Sequence, residues 1–403
     1  MKTRVKILIM TIMCMALFYQ CKKSNEFDLK VSISDKRFLK ALLNRGYDLN
    51  ADSIISREEA AAVTFLNLNQ ANITDLSGIE NFTNLETLWC YNNTIQIIDL
   101  SKNKALRILD CSYNPIRYIN FDNPKLEEIN CRDNQLTYLD ISKSTSIKKL
   151  NCRNNRLNAL DVSQNTSLKE IDCIENRLKV LDVSKCIYLE KLDCNINYLS
   201  ELNVSNNKAL EYLNCNNNND ITELDVTLNS NLKYLACSPC FLKSLDVSKN
   251  TLLEELICGG GNQLSKLDVS KNPALKYLYC VVNNLTALDV SKNIELEDLN
   301  CEYNPLTHLD VSKNVKLKSL SCRANELENL DVSNNLSLNV LACSSNPLTS
   351  INISKHKAIS MLWIEDIPTL KKVCVWTLPF PPENLQLRMG NSPNVYFSVE
   401  CNN

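Results

Sequence analysis

From about residue 85 to 354 the chain repeats a pattern of apolar and polar positions every 21 residues, and the period divides in two. One unit reads Ile147-x-x-Leu150-Asn151-Cys152-x-x-Asn155-x-Leu157-x-x-Leu160-Asp161-Val162-Ser163-x-Asn165, and the next begins at Leu168. Its halves are L-x-x-L-x-C-x-x-N and L-x-x-L-D-V-S-x-N. Each half holds two apolar residues two apart, Leu150 and Cys152, then Leu160 and Val162, which is the alternation of a half-buried strand. A turn-forming asparagine follows each. The pattern predicts coils that give one short strand to each of two parallel sheets, with leucines filling the space between. One coil alone leaves both ends of its core open, so the fold requires stacking.

Thirteen cysteines keep one phase of this pattern: Cys90, Cys111, Cys131, Cys152, Cys173, Cys194, Cys215, Cys237, Cys258, Cys280, Cys301, Cys322 and Cys343. One thiol per coil at a fixed phase predicts a small buried hydrophobe rather than a bridge partner. The longer intervals carry an extra residue after Cys215 and after Cys258, and the shortest loses one near Asp122. Length changes confined to turns agree with the strand assignment.

The motif L-x-x-L-x-C-x-x-N-x-L is similar to the leucine-rich-repeat signature, with Cys for one Leu. Its nested 21-residue form resembles the bacterial class called IRREKO leucine-rich repeats. Just upstream, Leu66-x-Leu68, Ile73, Leu76, Ile79 and Phe82 resemble one internalin-type repeat. The resemblance implies a β-rich solenoid of the α/β-solenoid class, with parallel strands on two faces. It also implies a non-catalytic protein-binding scaffold.

The ends differ in kind. Asp35 to Asn44 predicts a short amphipathic helix stopped by Gly46, and Ser56-x-x-Glu59 is a capping box opening a second. After Ser354 the repeat lapses, and the segment with Trp363, Trp376 and Phe380-Pro381-Pro382 predicts an irregular C-terminal cap. The expected organisation is a signal peptide over 1–21, a linker over 22–33, a helical cap over 34–64, the solenoid over 65–356 and the final cap over 357–403. Cys374 and Cys401 both fall in that cap, where an exported chain can pair them.

At the N-terminus, Lys2, Arg4 and Lys6 precede an apolar run from Ile7 to Tyr19 that is too short to span a bilayer. Cys21 follows. The arrangement resembles a bacterial lipoprotein signal, which implies that Cys21 is lipidated; Gln20 departs from the small residue such signals carry there. The alternative is an ordinary secretory signal cut nearby, and export follows in either case. The expected location is the cell envelope, lipid-anchored at the outer membrane, or, on the alternative, the periplasm or the exterior. The membrane is then touched only through the anchor.

Charge and composition narrow the function. With 44 basic and 46 acidic side chains, net charge −2, the chain gives no reason to expect a nucleic-acid partner. Two histidines and six glycines leave little from which to build histidine acid–base chemistry or a glycine-rich phosphate cradle, so no enzyme is expected.

Four groups remain as candidate sites. Cys237-Ser238-Pro239-Cys240 has half of a metal or redox motif, but Cys237 belongs to the ladder and Cys240 to the asparagine phase, so a filling role is expected. Asp48, Asn50, Asp52, Ser56 and Glu59 match positions 1, 3, 5, 9 and 12 of an EF-hand loop, with Ser53 in place of the usual glycine. A structural calcium and a metal-free helix–turn–helix both fit. Asp99, Asp140, Asp161, Asp182, Asp225, Asp246, Asp268, Asp289, Asp310 and Asp331 form an acidic column. Lysines three residues on, such as Lys249 and Lys271, are expected to offset it.

The fourth group is the first sheet's outward positions. They are polar along most of the chain and turn apolar and aromatic between about 212 and 303: Tyr212, Tyr234, Ile257, Tyr277, Tyr279, Val281, Val282 and Tyr303. Strand phase puts Tyr212, Tyr234 and Tyr277 in one column, and Ala236, Ile257 and Tyr279 in the next. Gly259-Gly260-Gly261 lies beside them, as an adaptable loop or as a relaxed insertion. Exposed aromatic clusters are what binding hot spots are made of. The leading expectation is a protein partner held there, a glycan is a close variant, and a structural envelope spacer is the third reading.

Overall fold

A computed structural model describes residues 30–401. The signal segment and Cys21 lie outside the described residues. Two compact units divide the chain, one running to Ile147 with Asn154–Arg156, the other taking Lys148–Arg153 and everything from Leu157 onward.

In the first unit, helix Lys36–Asn44 packs Phe38, Ala41 and Leu42 inward. Asp35 caps it by accepting from the backbone N–H of Arg37 at 2.6 Å and of Phe38 at 3.3 Å. The second helix, Arg57–Ala62, opens with the reciprocal capping box of Ser56 and Glu59. Strands Phe65–Asn67, Thr87–Trp89, Ile108–Asp110 and Glu128–Asn130 then pair in parallel. The internalin-type residues Leu66, Leu68, Ile73, Leu76, Ile79 and Phe82 are all buried.

In the second unit twelve strands, from Lys149–Asn151 to Gln386–Arg388, form one parallel sheet. Each is three residues long, with its central Leu, Ile or equivalent pointing inward and its flanking residues outward, as the alternation requires. The cysteine that follows each repeat strand points inward too and extends the backbone ladder: Cys215 N–H donates to Ala236 O at 2.8 Å, and Cys237 N–H to Ile257 O at 2.8 Å. All thirteen ladder cysteines are fully buried. Burial pushes the thiols of Cys131, Cys280 and Cys343 up to about 12, so they stay protonated and unreactive at neutral pH.

The asparagines do more than turn the chain. In the first half-repeat, Asn197 Nδ2 donates to Cys194 O and to Cys173 O of the preceding coil, both at 3.0 Å, while its Oδ1 accepts from Leu178 N–H at 3.0 Å. In the second, Asn250 Nδ2 donates to Val226 O at 3.0 Å and Asn229 O at 2.8 Å. Two buried amide columns thus tie each coil to the one before it. Substitutes keep the donor. Cys240 Sγ donates to Cys215 O at 3.2 Å, and His356 Nε2 lies 2.9 Å from Val332 O, which makes Nε2 the protonated nitrogen because a carbonyl only accepts.

The second face departs from the two-sheet expectation along most of its length. Regular strands form there at its ends: Ile97–Asp99 with Tyr118–Asn120 in the first unit, and Ser350–Asn352, Lys372–Cys374 and Tyr396–Ser398 in the second. Between them the L-D-V segments still bury leucine and valine, as at Leu245 and Val247, but their polar groups are engaged elsewhere. Asp246 Oδ1 accepts from the N–H of Ser248, and Val247 O accepts both Asn250 N–H and Asn272 Nδ2. Little is left to build a ladder.

The sheet also continues past residue 356. Strands Met361–Trp363 and Gln386–Arg388 join it in register, so the boundary expected at 357 marks a change of sequence and not of architecture. Only the connecting segments are irregular, with Phe380 packed edge-on against Trp376 at 5.5 Å between centroids. A disulfide joins Cys374 to Cys401 across this end.

Candidate functional site

Parallel register in the second unit sets the outward residues into two columns. Lys191, Tyr212, Tyr234, Glu255, Tyr277 and Asp298 are successive Cα partners in one. Asp193, Asn214, Ala236, Ile257, Tyr279 and Asn300 follow one another in the next. Both predicted columns are present, and Glu255 interrupts the tyrosines of the first.

Tyr212 and Tyr234 stack face to face, with centroids 4.3 Å apart and planes 6° from parallel. Lys191 Nζ caps the pair 5.0 Å from the Tyr212 centroid. The hydroxyls are held from the side: Tyr212 Oη donates to Asp193 Oδ2 at 3.2 Å, and Tyr279 Oη to Asp298 Oδ2 at 3.3 Å. Anchored rings of this kind lose little freedom when a partner lands on them. Tyr303 and Val282 project from the turn beyond the sheet and are about half exposed, whereas Ala236 is fully covered.

Carboxylates border the rings. Burial pushes the pKa of Asp193, Glu255, Asp298 and Glu302 upward, which records incomplete compensation of their charge in the free protein. Sequence reasoning picked out the tyrosines but not these acids, whose outward phase was the available signal.

The glycine loop is not adaptable. A Cβ at Gly259 would lie 2.6 Å from Val281 O, so only glycine admits that approach of the backbones. Gly260 and Gly261 have φ of +68° and +115° and donate to Val281 O and Val282 O. The loop therefore braces Val281 and Val282.

The other candidates resolve structurally. Cys237 and Cys240 are both fully buried, the first in the thiol ladder and the second in the amide column. The second-face aspartates cap their own turns: Asp225, Asp246, Asp268, Asp289, Asp310 and Asp331 each accept the N–H two residues on, at 2.8–2.9 Å. That bond holds carboxyls such as Asp246 below the usual range. Ion pairs form a ladder elsewhere, just before the first-sheet strands, as in Lys233–Glu211 at 2.8 Å and Lys276–Glu254 at 2.7 Å.

In the cap loop, Glu59 Oε1 accepts from Leu49 and Asn50 N–H, and Oε2 from Ser56 N–H and hydroxyl. Asp48 Oδ2 accepts from Ser53 N–H, and Ser53 takes the left-handed φ of +65° that a glycine there would take. The shape is that of a calcium loop, but its position-12 carboxylate is already saturated by four protein donors. Among the described residues no group of three or more His, Cys, Asp or Glu side chains is placed to hold a metal ion.

Inward leucines, buried amide columns and a parallel sheet of three-residue strands define this chain as a leucine-rich-repeat solenoid. It belongs to the leucine-rich-repeat family that includes internalin J. The solved functional domain of that protein from Listeria monocytogenes, which includes a cysteine ladder, is 35% identical with a TM-score of 0.77, covering 84% of this chain and 74% of that domain. Against the full-length internalin J of Listeria monocytogenes, 57 residues align at 39% identity, 14% of this chain and 6% of that protein. YopM from Yersinia enterocolitica (22% identity, TM-score 0.67, 93% and 82% covered) and a leucine-rich-repeat protein of Leptospira interrogans (22%, 0.63, 85% and 93%) share the fold. No protein-family model matches the sequence. Among the described residues no helix is long and apolar enough to cross a membrane.

Proposed function

We propose that the protein is a non-catalytic binding scaffold of the cell envelope, and that its partner is a protein segment carrying arginine or lysine. The observation that carries this reading is the pairing of stacked, anchored tyrosines with under-compensated carboxylates on one sheet face. A guanidinium or ammonium laid on Tyr277 or Tyr279 meets a ring face and, beside it, Glu255 or Asp298. The ring faces would also accept a sugar, whose hydroxyls can donate to the acids, but a neutral glycan brings no charge to balance theirs. A pure spacer has no need of half-buried rings anchored on one sheet face.

Envelope placement rests on the N-terminal sequence, where Cys21 is the proposed lipid attachment point and the outer membrane the proposed site. The nested 21-residue repeat class belongs to the same reading. Calcium in the cap, were it bound, would serve structure only.

The test is titration with a hexa-arginine peptide, using the intact chain and the Tyr234→Ser/Tyr277→Ser/Tyr279→Ser triple variant. Binding that weakens at least tenfold in the variant supports the face. Equal binding to both, or none to either, rejects it.

A further inference from the structure

The four acids that border the tyrosine rings are not equivalent. Asp193 is only 6% exposed, and its carboxylate accepts from the Tyr212 hydroxyl and from Asn214 Nδ2, both at 3.2 Å. Glu302 is offset by the guanidinium of Arg323. Glu255 and Asp298 are half-buried and meet no cation among the described residues. Burial alone acts on Glu255, and Asp298 receives only hydroxyls, that of Tyr279 at 3.3 Å among them. The glutamates just before the strands differ, since Glu211, Glu254 and Glu297 each hold a lysine at 2.7–2.8 Å.

The two open acids share a column. Glu255, Tyr277 and Asp298 are successive Cα partners on three adjacent strands, so one ring stands between two carboxylates. Neighbouring strands are about 4.8 Å apart, which separates the acids by about 9.6 Å. Tyr279 follows Tyr277 on the same side of its strand, about 6.6 Å along, and gives the middle of the site a second ring.

A segment that uses both acids must present two cations at that spacing on one side, with apolar residues between them for the rings. A β-strand does not, because its same-side residues recur at about 6.6 and 13 Å. Polyproline II does: it turns once in three residues and rises about 9.3 Å in doing so. Its proline rings pack flat on aromatic side chains, and it is extended before it binds, so little freedom is lost. An α-helix brings positions seven apart to about 10.5 Å, but it is about 10–12 Å across. It would also cover Lys276 and Glu254, whose ion pair at 2.7 Å lies beside the column, and strip both of water.

We infer that the basic segment proposed above is proline-rich, with two arginines or lysines three positions apart, one on Glu255 and one on Asp298, and prolines between them on Tyr277 and Tyr279. The inference rests on the tyrosine face being the binding surface and adds the partner's conformation and spacing.

The probes are two octapeptides of one composition, Pro-Pro-Arg-Pro-Pro-Arg-Pro-Pro and Pro-Pro-Arg-Pro-Arg-Pro-Pro-Pro, titrated calorimetrically into the intact chain. The first should bind at least fivefold more tightly, and Glu255→Gln should cut that preference to less than twofold. The Glu255 carboxylate holds no partner in the chain, so this variant should melt as the parent does. Equal binding of the two peptides, tighter binding of the second, a preference that survives Glu255→Gln, or no binding of either overturns the inference. So does tighter binding of an alanine-based helical peptide with arginines seven positions apart. Hexa-arginine separates this failure from failure of the face itself. If it binds, and loses at least tenfold in affinity in the Tyr234→Ser/Tyr277→Ser/Tyr279→Ser variant, the face stands and only the proline-rich spacing is wrong.

Discussion

Tyr212 and Tyr234 are Cα partners on adjacent strands, and their rings lie 4.3 Å apart and nearly parallel. A one-residue shift of either strand would turn one ring into the core, so the stack reports the register of the coils as well as the shape of the face.

Tyr212→Ala should lower stability by about 1–2 kcal/mol, since an aromatic pair contributes ~0.5–1.5 kcal/mol beyond its buried area and the bond to Asp193 goes with it. Tyr212→Phe keeps the stack and should lose less than half as much. Thermal melts of both variants check this. Equal losses would mean that the hydroxyl bond, and not the stack, orders the face.

Asn250 tests the amide columns. In Asn250→Ala the carbonyls of Val226 and Asn229 keep their turn bonds and lose the bond that links them to the next coil. The expected loss is about 2 kcal/mol, against less than about 0.5 kcal/mol for exposed Lys249→Ala next to it. If the two variants melt together, the columns are decoration on a fold held by leucine alone.

Calcium tests the cap loop. Glu59 already accepts four hydrogen bonds, so an incoming ion exchanges contacts instead of adding them. The melting temperature should be the same in EDTA and in millimolar calcium. A rise of several degrees would show that Asp48, Asn50, Asp52, Ser56 and Glu59 reorganise around the ion.

Much of this architecture was legible because a 21-residue period fixes phase. Once Leu150 and Cys152 point inward, every outward column follows, and Tyr212, Tyr234, Tyr277 and Tyr279 fall where the spacing puts them. The second sheet was misjudged over most of its length for a definite reason. L-D-V alternates as a strand does, but Asp and Asn side chains take up the backbone groups that strands would share. Trp363 was assigned to an irregular cap because the lengths between Leu341, Leu362 and Leu387 stretch from 21 to 25 residues, hiding a register the backbone keeps. The carboxylates stand at outward positions that the period marks, but the partial burial that raises their pKa is not written in the pattern.

Native-state thiol labelling tests the central claim most directly, because the fold puts fifteen free cysteines inside the described chain and exposes none. With a water-soluble disulfide reagent, those fifteen should stay unreacted in the native protein over minutes and react together once denaturant melts the solenoid. Rapid labelling of Cys152, Cys215 or Cys301 under native conditions would contradict the dry, stacked interior, and with it the outward face on which the proposed binding site depends.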